Sequence, residues 1–234
     1  MRQNRLLGLD IFRGWAILLM VLFHLAYDLN YFQFIEINLK KDFFWEYARY
    51  VIVNMFLFSV GISLALVHTP KIRWKSMYKR TLMLGLASVL VSIATYIQFP
   101  HRWVYFGILH FILFASWIGL IFIPFPRLSF LLGFFILLGS YFGFLHTQYL
   151  FDMLQFPLHL PKYTEDLVVF FPWFGVVLFG IGFVGFAWQD KVFTLPLFNS
   201  TNRFNLLLAF SGRHALIIYL LHQPLLFGLI MLLS

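Results

Sequence analysis

Apolar residues run through this chain in blocks of membrane-crossing length, about 20 residues each, with short polar connections between them. The blocks predict about seven helical spans, near 11–27, 50–67, 77–96, 104–123, 128–145, 167–186 and 214–233. Pro124-Phe125-Pro126-Arg127 joins the fourth and fifth, a turn short enough to require an antiparallel helix pair. No repeat, linker or low-complexity tract interrupts the pattern, so the chain reads as a single all-α transmembrane bundle over residues 1–234. The first block differs from the others in carrying Asp10, Arg13, His24 and Asp28. At about 100° per residue these four fall within an arc of roughly 60° on one helix face. Charges at membrane depth are costly and face a protein interior or a wet cavity, so this helix is expected to line a functional cavity.

Composition supports the membrane reading. Hydrophobic residues make up 62% of the 234 positions and charged ones 11%, against about 25% charged in a soluble domain. Met1 to Arg5 followed by an apolar run looks like a signal peptide, but Asp10, Arg13 and His24 inside the run argue for a retained first span. With no Cys, disulfides, thiolate metal sites and Cys nucleophiles are excluded. The net charge of +8 would suggest nucleic acid in a soluble protein. Here it fits the positive bias of cytoplasmic loops, and no nucleic-acid partner is expected. Arg2, Arg5, Lys71, Arg73, Lys75, Lys79, Arg80, Arg127, Lys191 and Arg203 fall on one predicted side, and Lys40, Lys41, Arg49, Arg102 and Lys162 on the other. The richer side is expected to be cytoplasmic, with the N-terminus.

This topology sorts the polar residues by depth. Asp10, Arg13, Arg73, Lys75, Lys79, Arg80, Arg203 and Arg213 group toward the inner face. His24, Asp28, Asn54 and His110 group toward the outer face, with Glu165 and Asp166 at the mouth of the sixth span. His222 and Gln223 lie in the last span, before a Pro224 that loosens the helix where a cavity could form. His24 and Asp28 are one turn apart and can touch, the arrangement of a base and its orienting carboxylate. The competing reading is a packing histidine bonded to a neighbouring helix. Metal ligation by His24 and His110 is numerically feasible, but no close His-x-x-x-His pair exists and no metal is expected. Asp10 and Arg13 either neutralise each other or leave Arg13 to bind an anion. The basic run 71–80 either reflects topology and anionic lipid or docks a phosphate-rich cofactor. The Gly175, Gly180, Gly182 and Gly185 set reads as close helix packing.

Leu9-Asp10-Ile11-Phe12-Arg13-Gly14 with Ile17 to Val21 resembles the first transmembrane helix of the heparan-alpha-glucosaminide N-acetyltransferase catalytic family. Phe106-Gly107-Ile108-Leu109-His110, Gly212-Arg213-His214-Ala215-Leu216 and Tyr219 to Pro224 resemble its later motifs. The Asp-x-x-Arg-Gly start, with a His about one helix later, is also similar to the acyltransferase-3 family. The resemblance implies a transmembrane acyltransferase moving an acetyl or short acyl group from cytosolic acetyl-CoA to an amine or hydroxyl of an extracytoplasmic sugar or glycan. It also implies an integral, multi-pass protein of a bacterial plasma membrane. His24, oriented by Asp28, would be base or acyl carrier, and His110 and Asn54 would position the acceptor or polarise the thioester. Asp10, Arg13, Lys79, Arg80, Arg213 and His214 would form the coenzyme side, and His222 and Gln223 would line the cavity. The rival classes are a transporter or flippase using the same stripe as a proton relay, and a non-catalytic membrane subunit. Membrane lipid is the remaining expected partner; self-association, the acceptor and the acyl chain are not set by the sequence.

Overall fold

The computed structural model describes residues 6–38, 41–145, 148–155 and 157–233. Arg2, Arg5 and Lys40, which entered the loop-charge comparison, lie outside them. Among the described residues the chain is helical and forms no strand. Its helices are α1 (Leu7–Tyr31), α2 (Phe43–His68), α3 (Trp74–Gln98), α4 (Ile108–Phe122), α5 (Pro126–Tyr141), α6 (Gln148–Gln155), α7 (Trp173–Gly185), α8 (Trp188–Val192), α9 (Pro196–Asn199), α10 (Arg203–Arg213) and α11 (Ala215–Met231). The fold is an all-α membrane bundle. α1, α2 and α3 are long and apolar enough to cross a bilayer, and α10 with α11, bent by 90°, makes a fourth crossing if counted as one broken span. α4, α5 and α7 are apolar but have 15, 16 and 13 residues, short of the about 20 that a straight crossing needs.

The shortening has local causes. Residues predicted to open the fourth and sixth spans form an extended strap instead. Glu165 N–H donates to the Arg102 carbonyl (3.0 Å) and Val168 N–H to the Phe106 carbonyl (3.2 Å). The Thr164 hydroxyl donates to the Trp103 carbonyl (2.8 Å), and Arg102 pairs with Glu165 at 3.0 Å. Asp166 accepts from the Ile108 N–H at the start of α4 (2.8 Å). Pro172 then disfavours helix at the residue before it, and α7 begins at Trp173. Glu165 and Asp166 thus have structural duties that charge alone does not announce.

The chain divides into two compact units, Met1–Ser59 with Gln189–Ser234, and Val60–Trp188. In the second unit, α5 and α7 pack through glycine. Gly133 faces the Gly175 carbonyl, Gly182 faces Phe130, and Gly185 lies against Pro126. A side chain at any of these would collide with its neighbour, so this glycine set serves helix packing. Ser129, fully buried, donates to the Phe122 and Phe125 carbonyls (2.9 Å each) and ties off the turn between α4 and α5. The outward face of α3 carries Leu82, Leu86, Leu90 and Ile97, all more than half exposed, as suits a helix solvated by lipid tails.

In the first unit α1 is central. Ile11 packs with Leu208 and Ala209 of α10, and Ile17 and Met20 pack with Ile52 of α2 and, more peripherally, Ala215, Ile218 and Tyr219 of α11. The hydrophobic pattern does not predict α10; residues 203–213 read as a loop before the last span. The helix is capped by Asn202, whose side chain accepts from the Asn205 N–H (2.7 Å). Its backbone meets that of α1 at two glycines. A Cβ on Gly14 would overlap the Leu208 carbonyl, and one on Gly212 the Asp10 carbonyl. Gly228 of α11 has open space around it. Gly212→Val should therefore lower stability by about 1–3 kcal/mol or more by overpacking. Gly228→Ala should be neutral or slightly stabilising. Thermal unfolding in one detergent compares them, and equal melting temperatures would contradict the close α1–α10 contact.

Candidate functional site

The polar stripe of α1 forms two clusters, each completed by the α10–α11 pair. In the first, Asp10 is 3% exposed. Its Oδ1 lies 3.3 Å from Arg13 Nη1 and its Oδ2 4.0 Å from Arg213 Nε. Arg213 Nε–H also donates to the Ala209 carbonyl (3.1 Å), which holds the guanidinium against its own helix. Gly14 and Gly212 explain how this geometry arises, because the helix backbones must approach closely for an α10 arginine to reach an α1 carboxylate. One carboxylate faces two guanidiniums, leaving a net positive charge where Arg213 is partly exposed. That arrangement can hold an anion. His214, exposed at the α10–α11 bend, donates Nδ1–H to the Phe210 carbonyl (2.9 Å).

The second cluster lies further along α1. Asp28 is fully buried, and its Oδ1 accepts from Gln223 Nε2 of α11 at 2.7 Å. The expected His24–Asp28 bond is not formed. His24 Nδ1 lies 2.9 Å from the Met20 carbonyl; since a carbonyl only accepts, the hydrogen is on Nδ1. In the neutral ring the lone pair is then on Nε2. The tautomer expected from a carboxylate is thus set by the helix backbone. His222, 8% exposed, stands edge to face with His24 at 4.8 Å between ring centroids. Its Nδ1–H donates to the Tyr219 carbonyl (2.7 Å). Asp28 Oδ2, His222 Nε2 and Gln223 Oε1 are buried without a hydrogen-bond partner among the described residues. Such groups are rare in native interiors and point to a role beyond packing.

The other sequence-derived candidates lie elsewhere. Asn54 of α2 donates Nδ2–H to the Tyr50 carbonyl (2.7 Å), committing one of its two amide hydrogens. His110, in the second unit, sits at the start of α4 with both ring nitrogens engaged. Nδ1 accepts from the Gly107 N–H (3.3 Å). Nε2–H faces the Ser92 hydroxyl oxygen (3.3 Å), whose own hydrogen goes to the Val104 carbonyl (2.7 Å). Arg80 donates Nε–H to Ser116 (3.0 Å), and Lys79 is exposed on α3. Sequence reasoning gives His222 and Gln223 a lining role only. The bond from Gln223 to Asp28 crosses 195 residues of chain, and its signal in the sequence is an amide beside a proline in an apolar helix.

The profile of the heparan-alpha-glucosaminide N-acetyltransferase catalytic domain matches residues 5–224. That match takes in both clusters and nearly the whole chain. The chain belongs to this family. It is therefore an integral membrane protein of an acetyltransferase family. Neither the curated proteins nor the solved structures yield a match to it. The Asp10-x-x-Arg13-Gly14 start of α1 has a physical meaning: the carboxylate and arginine form the first cluster, and the glycine admits α10.

The Asp28–Gln223 bond gives a direct test. Gln223→Leu and Asp28→Leu should each cost about 1–3 kcal/mol by stranding the partner. The double variant should cost less than their sum by at least about 0.5 kcal/mol. Additive losses in denaturant or thermal unfolding would refute the pairing.

Proposed function

We propose that this protein transfers an acetyl or short acyl group from cytosolic acyl-CoA to an amine or hydroxyl of an extracytoplasmic sugar or glycan. The observation that carries this reading is a single helix, α1, bearing a cation-rich cluster near one end and an imidazole–carboxylate cluster near the other. Arg13 and His24 are separated by about 16 Å at 1.5 Å per residue. This suits a substrate held by its phosphates at one depth and reacting at another. Family membership supports the acetyltransferase class, and the loop charges support a cytoplasmic first cluster.

In this reading Arg13 and Arg213 hold phosphate oxygens, with Asp10 fixing their geometry. His214 is a further donor for the same ligand. His24 is the general base: its Nδ1–H is anchored to Met20, so Nε2 takes the proton of the acceptor N–H or O–H as that atom attacks the acyl carbon and the C–S bond breaks. Asp28 offsets the charge that appears on the imidazole. Asn54 offers its second amide hydrogen to the acyl oxygen or the acceptor. His110, whose ring is spent on Gly107 and Ser92, serves to shape the start of α4.

Two measurements test this. Purified protein supplied with labelled acetyl-CoA and amino-sugar or sugar acceptors should show transfer, and His24→Ala should lower kcat by about 10²–10⁴-fold. Undiminished activity in that variant would remove His24 from the reaction. Arg213→Gln should raise KM for acetyl-CoA about tenfold, a difference that shrinks as ionic strength rises. An unchanged KM at low salt would exclude it from the phosphate site.

A further inference from the structure

α11 contributes a second imidazole to the His24 cluster. His222 is 8% exposed and in ring contact with His24. Its Nδ1–H is committed to Tyr219, so the neutral ring turns a lone pair toward an interior where no donor meets it among the described residues. Asp28 Oδ2 and Gln223 Oε1 are in the same condition. His24 is anchored through Nδ1 in the same way. The cluster therefore sets three buried acceptors without a donor among the described residues, His222 Nε2, Asp28 Oδ2 and Gln223 Oε1, beside His24, whose Nε2 carries the lone pair of the neutral ring. The hydrogen bond seen within it is the one Gln223 gives to Asp28 Oδ1. Buried acceptors in such surplus are unfavourable until a hydrogen arrives, and deprotonating an acceptor group delivers one.

We infer that His222 is a positioning residue for the proton transfer: once His24 holds the acceptor's proton on Nε2, the Nε2 of His222 accepts that hydrogen and steadies the imidazolium. The inference rests on the acyltransferase reading above. The step balances. The new N–C or O–C bond forms as the C–S bond breaks, the acceptor's proton passes to His24, and the sulfur leaves as thiolate. The acylated product is then a poor partner for the His24 N–H, and the adjacent lone pair of His222 takes its place. Asp28, clamped by Gln223, supplies the compensating negative charge. Turnover returns the proton from His24 to the thiolate or to solvent, leaving both rings neutral.

Two substitutions separate this role from packing. His222→Phe keeps an aromatic ring of similar shape and removes the lone pair. His222→Gln gives up the ring but keeps an acceptor. In acetyl transfer by the purified full chain, His222→Phe should lower kcat by about 10²-fold with KM for acetyl-CoA unchanged. His222→Gln should recover at least about tenfold of that loss. The reverse order, with Phe more active than Gln, would mean that the ring merely packs and would overturn the inference, as would wild-type kcat in His222→Phe. If His222→Phe does not fold, His222→Leu replaces it in the same comparison. A wild type that transfers nothing ends the acyltransferase reading and this role with it. An active wild type with an equally active His222→Phe ends this role alone.

Discussion

The contact that the first unit depends on is the backbone approach of α1 and α10 at Gly14 and Gly212. Each glycine lies where a side chain would overlap a carbonyl of the other helix, so the helix surfaces meet without intervening side chains. In a lipid environment helix association relies on close packing and polar contacts, since lipid tails are as apolar as leucine. Here both come together. The close approach lets Arg213 reach Asp10, and that ion pair, with Arg13, in turn gives the buried carboxylate its compensation. A buried carboxylate without such partners would be strongly unfavourable. The glycines and the charges are therefore one device.

That device also fixes the course of the last helix. α10 ends at Arg213 and the chain bends by 90° into α11, with His214 bonded back to Phe210 at the corner. α11 then packs on α1 through Ile218 and Tyr219, and Gln223 reaches Asp28, about four turns of α1 beyond Arg13 at 3.6 residues per turn. The two polar clusters are thus built from the same two stretches of sequence. One is closed by the end of α10 and the other by the middle of α11. The spacing between phosphate-binding charges and imidazole is fixed by the rise of α1.

Much of this is legible from residue spacing. The three long helices, the stripe on α1 and its division into inner and outer pairs come from periodicity, and α1 extends about one turn beyond the predicted block at each end. Local geometry is what spacing encodes, and it fails where a partner comes from far along the chain. Spacing assigns Asp28 to His24 because they share a helix face. In the fold its oxygen goes to Gln223, 195 residues away, and the histidine uses its own backbone. His110 reads as a partner of His24 because the two share a predicted depth; in the fold its Nδ1 accepts from the Gly107 N–H before α4 and its Nε2 meets Ser92 of α3. The strap itself, residues 164–168, is hidden by continuity with the apolar block after it. α10 is hidden by its polar residues and short length, although Asn202 and Gly212 mark its ends.

The two clusters differ in how completely their polar atoms are satisfied. Around Asp10 the charges are paired and the approach of the backbones depends on them. Around Asp28, three buried acceptors stand without donors among the described residues, although the flanking positions of α11, Leu221 and Leu225, are apolar and exposed. Leucine at 222 would remove one of those lone pairs from the bilayer interior at no cost in helix propensity. A fold that needed only stability has no use for that buried imidazole. A site that handles a proton does, because it needs lone pairs that the fold itself leaves unfilled. Buried acceptors without donors thus mark the outer cluster, while the ion pairs of the inner cluster hold α1 and α10 together.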